Sequence, residues 1–407
     1  MPVSSPLGGL LVPDTGLPAF LLERAGVFGD LPALVDGPTG RAVTYAGLQT
    51  MVERCAAGLT ARGFGRGDVL ALLAPNSPDW PVVLLGAQLA GGVVTPVNPL
   101  WTADEVARQL RSSGARLVVT AAAFVDRVTA AGAGDVVVLG DAPDGTTPLA
   151  ALLDTTVPAP RMPIDPGTDV AFLPYSSGTT GLPKGVCLTH RNLVANTEQA
   201  LALVQLTSRD VLIGTLPFFH AAGLMSLATA LRAGSTVVTL PRFDLEQCLR
   251  LVEEHRATYL PTAPPMVLAL ARHPAVDRYD LSSLEFVACG AAPLSPELES
   301  ECAARLGRPV VQAYGMTECS AVIAFSRRDG AGRTPGGAGT LVPARRRGWS
   351  TRAPVRKSSR AAPGSCGSEA RRSWAGTWAT RCRRRPRWIP RAGCTPATSA
   401  RSLRTAR

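Results

Sequence analysis

Tyr175-Ser-Ser-Gly-Thr-Thr-Gly-Leu-Pro-Lys184-Gly185 holds three glycines, four aliphatic hydroxyls and one lysine within eleven residues. Glycine lets a backbone approach a ligand closely and adopt positive φ, and hydroxyls with successive N–H groups form nests that bind anions. The Walker loop places its lysine directly after a glycine, whereas Lys184 stands three residues after Gly181. A strand pattern before the stretch and a helix pattern after it argue against a flexible linker. The stretch therefore predicts a polyphosphate cradle, and hence a nucleotide ligand.

Short apolar strands alternate with amphipathic helices on both sides of this loop. Such alternation is typical of parallel sheets whose faces are covered by helices, so the sequence predicts an α/β fold. A proline-rich connector at 158–166 indicates a first subdomain at 1–165 and a second at 166–343. Strands are predicted at 69–73, 93–96, 117–120, 170–175, 211–215, 236–240, 259–262, 286–289 and 310–314, and helices at 45–62, 80–90, 103–112, 191–206, 221–233, 245–255, 265–272 and 296–305.

The positive charge of the chain is concentrated at one end. The formal net charge is +11, but residues 344–407 hold 18 Lys and Arg against one acid, Glu369. Residues 1–343 hold 24 basic and 30 acidic residues, a composition that does not favour binding of nucleic acid. The tail lacks any apolar periodicity, so we predict that it is disordered. Binding of nucleic acid by this arginine-rich tail is the alternative from another functional class.

The cysteines and the apolar segments bear on location. Nine cysteines are scattered without a C-x-x-C pair, which fits neither a zinc site nor a disulfide framework and favours a reducing cytosol. The N-terminus lacks the charged segment and smooth apolar run of a signal peptide. The most apolar stretch, 82–97, is broken by Gln88 and three glycines, so it predicts a buried helix and strand rather than a membrane span. We expect a cytoplasmic protein.

Three further segments follow the loop in the chain. They are Pro217-Phe-Phe-His-Ala-Ala-Gly223, Gly290-Ala-Ala-Pro-Leu294 and Gln312-Ala-Tyr-Gly-Met-Thr-Glu318. Together with the loop they resemble the signature motifs of the adenylate-forming (AMP-binding) superfamily, in particular its 4-coumarate–CoA ligase and acyl-CoA synthetase branch. The resemblance covers about residues 20–342. It implies the large N-terminal domain of these enzymes, with stacked mixed sheets and helices in an αβαβα arrangement.

The resemblance also implies a reaction in two halves. A carboxylic acid attacks the α-phosphorus of ATP to give an acyl-adenylate and pyrophosphate, and the thiol of coenzyme A then displaces AMP. The enzyme positions charged reactants and offsets developing negative charge, with Mg²⁺ held by hard oxygen ligands. ATP, Mg²⁺, coenzyme A and a small-molecule carboxylic acid are therefore the expected ligands.

The positions that match the motifs take the family's roles by resemblance. The phosphate cradle is expected to comprise Ser176, Ser177, Gly178, Thr179, Thr180, Gly181 and Lys184. The contacts with ATP and AMP are expected to come also from Gly290, Ala291, Ala292, Gln312, Tyr314, Gly315, Met316 and Thr317. Glu318 is the expected Mg²⁺ ligand. The residues expected to act in catalysis are Lys184, His220, Thr317 and Glu318.

His220 is the expected gate between the acyl pocket and the channel for the thiol, and a structural core histidine is the alternative. The acyl pocket is expected to comprise His220, Ala221, Gly223, Gly290, Gly315 and Met316. Relatives that activate amino acids place an aspartate beside this histidine, whereas 217–223 holds no acid. The sequence therefore favours an acid without an α-amine, and the small residues leave room for an aryl or medium acyl group.

The tail also departs from the family. The resemblance calls for a Trp-x-x-Thr-Gly-Asp motif, an arginine hinge and a small C-terminal domain with a catalytic lysine, which the chain as written lacks. Codons built from the last base of one codon and the first two of the next can encode Trp-Leu-His-Thr-Gly-Asp at 392–398 and Val-Met-Gly-Gly-Tyr-Leu at 373–378. We therefore hypothesise that the tail is an out-of-frame translation, and we expect impaired activity. A genuine disordered tail and a non-catalytic remnant that binds ATP or acyl-adenylate are the alternatives; resequencing codons 335–350 tests the frame.

Overall fold

Strands and helices alternate along the chain. The computed structural model describes residue 5 and residues 7–177, 183–330 and 334–346. The strands are β1 (Gly9–Leu11), β2 (Pro32–Asp36), β3 (Ala42–Thr44), β4 (Val69–Leu73), β5 (Val93–Pro96), β6 (Ala115–Ala121), β7 (Val136–Leu139), β8 (Thr147–Pro148), β9 (Val170–Phe172), β10 (Tyr175–Ser177), β11 (Pro183–Gly185), β12 (Leu188–Thr189), β13 (Val211–Gly214), β14 (Thr236–Thr239), β15 (Tyr259–Thr262), β16 (Phe286–Cys289), β17 (Val310–Met316), β18 (Ala321–Phe325), β19 (Thr340–Leu341) and β20 (Ala344–Arg346).

The helices of the described part of the chain are mostly short. They are α1 (Leu17–Leu22), α2 (Ala25–Phe28), α3 (Tyr45–Ala61), α4 (Asp79–Leu89), α5 (Ala103–Ser113), α6 (Val125–Ala130), α7 (Leu149–Leu153), α8 (His190–Val204), α9 (Ala221–Ala233), α10 (Leu245–Glu254), α11 (Pro264–Arg272) and α12 (Pro296–Leu306). Within that part, no helix is long and apolar enough to cross a membrane.

Two mixed sheets organise these elements. Among the described residues, one sheet has seven strands in the order β12-β9-β5-β4-β6-β7-β8, parallel except at β12. The other has nine strands in the order β19-β18-β17-β16-β15-β13-β14-β2-β3, with antiparallel pairs only at its ends. Each sheet takes strands from both sides of the predicted boundary near 165, and the division into subdomains stays a prediction.

A shared core fills the space between the sheets. It joins buried side chains of β4 and β13, such as Leu70 and Leu212, to those of α3, α4, α8 and α9. Helix α4 buries nine of its eleven residues, as expected for a helix that is apolar on all sides. Helices α5 and α6 cover the outer face of the seven-strand sheet, and α10, α11 and α12 cover the outer face of the nine-strand sheet. The predicted αβαβα arrangement is confirmed.

The prediction of one continuous strand at 170–175 is wrong. The segment divides into β9 and β10, because the chain leaves the sheet after Leu173, whose N–H donates to Val94 O at 2.8 Å. Pro174 has no N–H with which to continue the ladder, and its carbonyl accepts from Val186 N at 2.8 Å. This break frees β10 to pair with β11 in a separate hairpin. The predicted irregular tail at 344–407 is wrong for its first three residues, because Ala344–Arg346 form β20 and pair with β1. The rest of the tail, from 347 onward, lies outside the described residues, and with it the disorder and nucleic-acid predictions.

Candidate active site

The two strands that flank the predicted phosphate cradle form an antiparallel hairpin, which we call the hairpin wall (β10 and β11). Ser176 pairs with Lys184 across it, and Lys184 is exposed. The Ser176 hydroxyl donates to Glu318 Oε1 at 2.9 Å. This contact joins the first predicted motif to the last, 142 residues further along the chain. The predicted cradle residues Gly178, Thr179, Thr180 and Gly181 lie outside the described residues.

Tyr175 begins the hairpin wall and was not among the predicted site residues. Its hydroxyl shares a short hydrogen bond with the hydroxyl of Ser112, at the end of α5. Burial is the main reason that the pKa of Tyr175 is raised, so the phenol is neutral at physiological pH. The hairpin wall is thus tied to the seven-strand side of the fold through a side chain that no local pattern marked.

A buried histidine follows the hairpin wall in the chain. Helix α8 begins at His190, directly after β12, with Thr189 and Asn192 forming its capping box. His190 Nδ1 accepts from Leu17 N at 3.1 Å. Burial lowers the pKa of His190 to about 4, against a smaller opposing effect of Asp169. The imidazole is therefore neutral in the folded protein at physiological pH, in line with a structural role.

Residues 214–223 form the opposite side of the site, which we call the histidine wall. His220 is the N-cap residue of α9, and its ring lies 4.3 Å from that of Phe219 between centroids. One side of His220 is open to solvent, yet partial burial lowers the pKa of its imidazole. A Cβ on Gly223 would lie 2.0 Å from Pro217 O. Only glycine therefore lets the first turn of α9 pack against the preceding turn.

A small cavity of about 40 Å³ lies between the two walls. His220 and Ala221 line it from the histidine wall, Tyr175 from the hairpin wall and Thr317 from the last motif. Pro96, Asn98, Trp101, Gln109, Pro174 and Phe219 complete the lining. Three of the four predicted motifs thus meet at one cavity, together with residues 96–109, which sequence patterns alone did not assign to the site.

The last motif forms the end of β17 and the start of the turn that leads to β18. Tyr314 and Met316 are 44% and 43% exposed, which is unusual for such large apolar side chains in this chain. A Cβ on Gly315 would lie 1.5 Å from Ala321 O, so glycine is required where the strands bulge between Tyr314 and Gly315. Thr317 and Glu318 stand in the 3₁₀ turn that follows. Asn196 on α8 fixes this hairpin by exchanging two hydrogen bonds with the Val322 backbone, of 2.7 and 2.9 Å.

Gly290–Ala292, on the predicted adenine side, directly follow β16. Ala291 has a φ of +70°, a left-handed conformation that is uncommon for a residue other than glycine. Both Ala291 and Ala292 are exposed. Gln312 is buried, and its amide donates to Leu294 O at 3.3 Å and to Glu299 at 2.5 Å. The amide of Gln312 therefore ties β17 to the loop at 290–294, and its predicted contact with AMP stays a prediction.

Oxygen ligands suited to a divalent cation lie where the hairpin wall meets the last motif. Glu318 supplies an exposed carboxylate, and the hydroxyls of Ser176 and Thr317 stand close to it along the chain and in space. Mg²⁺ is usually held by one or two carboxylates together with substrate phosphates, so this donor set fits the ion. In the described part of the chain, no group of three or more His, Cys, Asp and Glu forms a self-sufficient metal site.

Comparison with known proteins identifies the family. The profile of a family described as AMP-binding enzyme matches residues 21–346. The chain belongs to this family. It is 38% identical over 331 residues to 4-coumarate–CoA ligase 3 of Arabidopsis thaliana, a match that covers 77% of this chain and 59% of that protein. It is 39% identical over 349 residues to 4-coumarate–CoA ligase 5 of Oryza sativa subsp. japonica, covering 83% of this chain and 65% of that protein.

A solved structure supports the same assignment. The inhibitor-bound crystal structure of the N-terminal domain of FACL13 from Mycobacterium tuberculosis superposes with a TM-score of 0.71 at 30% identity, covering 80% of this chain and 82% of that one. The predicted branch is confirmed: this AMP-binding family member is similar to 4-coumarate–CoA ligases and has the fold of an adenylate-forming N-terminal domain. The chain spans less than two thirds of the length of the plant relatives named above.

Proposed function

We propose that this AMP-binding family member takes part in the ATP-dependent activation of a carboxylic acid to an acyl-adenylate and its transfer to coenzyme A. The hydrogen bond between Ser176 and Glu318 is the observation that supports this most directly. It joins the hairpin wall to the last motif beside the cavity that His220 and Thr317 line. Groups suited to phosphate, to a cation and to an acyl chain therefore converge on one place.

The phosphate side is formed by the hairpin wall. Lys184 is exposed, and its ammonium can reach a polyphosphate without first breaking an ion pair, since none is recorded for it among the described residues. Ser176 offers a hydroxyl to the same ligand once it is released from Glu318. Glu318 with Thr317 would hold Mg²⁺, which when bound offsets the negative charge of the phosphates. These residues bind and orient ATP while a carboxylate oxygen attacks the α-phosphorus and the bond to pyrophosphate breaks.

The adenine and acyl sides are formed by the nine-strand sheet and the histidine wall. Tyr314 presents a 44% exposed ring on which a base can stack, and Gly290–Ala292 offer backbone groups beside it. Met316 and Gly315 border the acyl side together with Ala221 and Gly223. The absence of acidic residues from 217–223 favours an acid without an α-amine. The names of the plant relatives make 4-coumarate the first acid to test.

His220 is proposed to gate the thiol. Its lowered pKa keeps the imidazole neutral at physiological pH, so a thiol that approaches the acyl-adenylate meets no fixed positive charge. The sulfur then attacks the acyl carbon as the thiol proton is released to solvent, the bond from that carbon to the AMP oxygen breaks, and AMP departs as the leaving group. Residues 344–407 as given hold no Trp-x-x-Thr-Gly-Asp segment, which the resemblance calls for, so we propose impaired turnover. A remnant that binds ligands without turnover is the alternative.

Calorimetry tests the binding part of this proposal. The 407-residue chain is titrated with ATP and Mg²⁺ and with a non-hydrolysable adenylate of an aryl acid, and we expect saturable binding of both. We expect Lys184→Ala and Glu318→Gln to weaken ATP binding by about tenfold through loss of charged contacts. Arg250→Ala is the control, since Arg250 is an exposed cation on the outer helix α10. Failure of the wild-type chain to bind either ligand would contradict the proposal.

Exchange of pyrophosphate into ATP separates binding from chemistry. A panel of aryl, medium-chain and amino acids is supplied in turn, and incorporation of labelled pyrophosphate is followed. We expect binding without appreciable exchange from the chain as it stands, and exchange that depends on a non-amino acid once the reading frame after codon 343 is restored. Strong exchange by the unaltered chain would contradict the predicted impairment but leave the proposed reaction intact.

A further inference from the structure

Asn76 is a buried amide that lies outside all four motifs. It stands in the loop between β4 and α4, at the carboxyl end of the central part of the seven-strand sheet, and is 3% exposed. All its recorded hydrogen bonds go to backbone groups of the histidine wall, more than 135 residues away in sequence. The side chain therefore links the end of a strand in one sheet to the end of β13 in the other.

Three backbone groups of the histidine wall bind this amide. Asn76 Nδ2 donates to Gly214 O at 2.8 Å and to Leu216 O at 2.9 Å. Asn76 Oδ1 accepts from Phe218 N at 2.8 Å. The partners fix the orientation of the amide, because the reverse assignment would oppose oxygen to two carbonyls and N–H to an N–H group. Two donors and one acceptor in a plane are what an asparagine side chain supplies.

Apart from Gly214, the segment held by Asn76 lies between two regular elements and is not part of the sheet's hydrogen-bonded ladder. Beyond Gly214, β13 ends and the chain turns before α9 begins at Ala221. If the amide were removed, the carbonyls of Gly214 and Leu216 and the N–H of Phe218 would lose these partners. Burying a backbone polar group without a hydrogen bond lowers the stability of the folded protein. The Phe218 ring is also fixed, edge-on to Trp80 with 5.6 Å between centroids. Two residues later the chain presents His220.

We propose that Asn76 is a positioning residue that holds the turn 214–218 and thereby sets where Phe219 and His220 face the cavity. The proposal rests on the proposed function for the role of His220, but the placement of the ring can be measured without any ligand. A positioning role differs from a merely structural one in that it affects a particular distant side chain. Loss of the amide should alter the surroundings of His220 specifically, in addition to lowering the free energy of unfolding.

The imidazole of His220 reports on this placement. Partial burial lowers its pKa, and Tyr175, a neutral phenol, is the titratable group among the other residues that line the same cavity. If the turn relaxes, the ring gains water and its pKa should rise toward the ordinary value of about 6.5. NMR titration of the four histidines, with His220 assigned by a His220→Gln variant, follows this directly. We expect the rise in Asn76→Ala and a smaller one in Asn76→Ser, which retains a hydroxyl.

Tyr45 provides a control. It is 0% exposed, its hydroxyl donates to the distant backbone at Ser235 O at 2.7 Å, and it neither bonds the turn 214–218 nor lines the cavity. We expect Tyr45→Phe to lower the free energy of unfolding while leaving the pKa of His220 unchanged. An unchanged pKa of His220 in folded Asn76→Ala and Asn76→Ser, or an equal rise in Tyr45→Phe, would overturn the proposal.

Ligand binding distinguishes failure of this inference from failure of the proposed function. We expect Asn76→Ser to bind the aryl-adenylate analogue roughly tenfold more weakly, since each 1.4 kcal/mol corresponds to about that factor. We expect it to bind AMP like wild type, because 290–292 and 314–318 are not held by Asn76. Equal weakening of both ligands would indicate a general structural effect and overturn the positioning role. Absence of binding by wild type would refute the proposed function, while the titration of His220 would still decide the role of Asn76.

Discussion

The two walls of the candidate site are built in opposite ways. The histidine wall is held from within: a buried amide bonds its backbone, Phe218 packs on Trp80, and Gly223 permits a contact with no room for a Cβ. The hairpin wall is exposed at Lys184 and is held by hydroxyl contacts, from Ser176 to Glu318 and from Tyr175 to Ser112. Segments with few buried contacts open most readily. The histidine wall is therefore preorganised, and the hairpin wall, which we propose binds the phosphates, is the one expected to move when ATP binds.

The largest effect should come from filling the space at Gly223. In Gly223→Ala the new Cβ would meet the Pro217 carbonyl at 2.0 Å, and a backbone atom cannot move aside as a flexible side chain would. We expect a loss of about 3 kcal/mol or more in the free energy of unfolding, measured by urea denaturation. Gly26→Ala is the control, because a Cβ at Gly26 in α2 has no atom within 4 Å. Equal stability of the two variants would show that the histidine wall is not tightly packed.

A pH-dependent loss of stability should arise at His190, the buried first residue of α8. Burial lowers the pKa of His190 to about 4 in the folded protein, against about 6.5 in the unfolded chain. Between these two pH values the unfolded chain binds a proton that the folded protein does not. The free energy of unfolding therefore falls as pH is lowered through this window, and the full stability is present above about pH 6.5. We expect about 2 kcal/mol to be lost between pH 7 and pH 5.

The variant His190→Gln separates the contribution of His190 to the pH dependence of stability from the contributions of other titrating groups. A glutamine oxygen can accept from the Leu17 N–H without titrating, so urea denaturation of the variant should show a flatter dependence on pH than wild type. The difference between the two curves is the contribution of His190. Parallel curves would mean that His190 takes up its proton in the folded state and that the start of α8 is open to water.

The histidine wall also shows how far the sequence predicts the fold. Strand β4 and helix α9 have the predicted bounds, 69–73 and 221–233, because an apolar run and a helical period are local signals. The bonds from Asn76 to 214–218 and from Asn196 to Val322 span more than 120 residues. No periodicity records such a pairing. An asparagine in a loop looks the same whether it caps a turn or crosses between sheets.

In the candidate site, too, some features were predicted from the sequence and others depend on long-range packing. Resemblance to known motifs predicted which segments carry the site, and the structure brings Ser176, His220, Thr317 and Glu318 into one region. It did not predict that Tyr175, Asn98 and Trp101 line the cavity, because their part in it depends on how the seven-strand sheet stacks on the nine-strand sheet. Gln312 has the predicted position in the chain, but its amide is taken up by Leu294 and Glu299, which only packing decides.

The smallest effect is expected at the hydrogen bond from Ser176 to Glu318. Both residues lie at the surface, and an exposed bond of this kind replaces bonds to water at little net gain. We expect Ser176→Ala and Glu318→Gln each to change the free energy of unfolding by less than about 0.5 kcal/mol. Their coupling in a double-mutant cycle should be below about 1 kcal/mol. The same variants should nevertheless weaken ATP binding, since both side chains are proposed to bind the nucleotide or its cation.

The pair Gln49 and Glu53 on α3 is the matched control for this cycle. It too joins an uncharged donor to a carboxylate at the surface, at 3.0 Å, but it lies far from the site in sequence and belongs to no motif. Its cycle should give a similar small coupling energy and no effect on ATP binding. A coupling of 2 kcal/mol or more between Ser176 and Glu318 alone would contradict the contrast between the walls. The hairpin wall would then be held in place before ATP arrives, and the site would be preorganised on both sides.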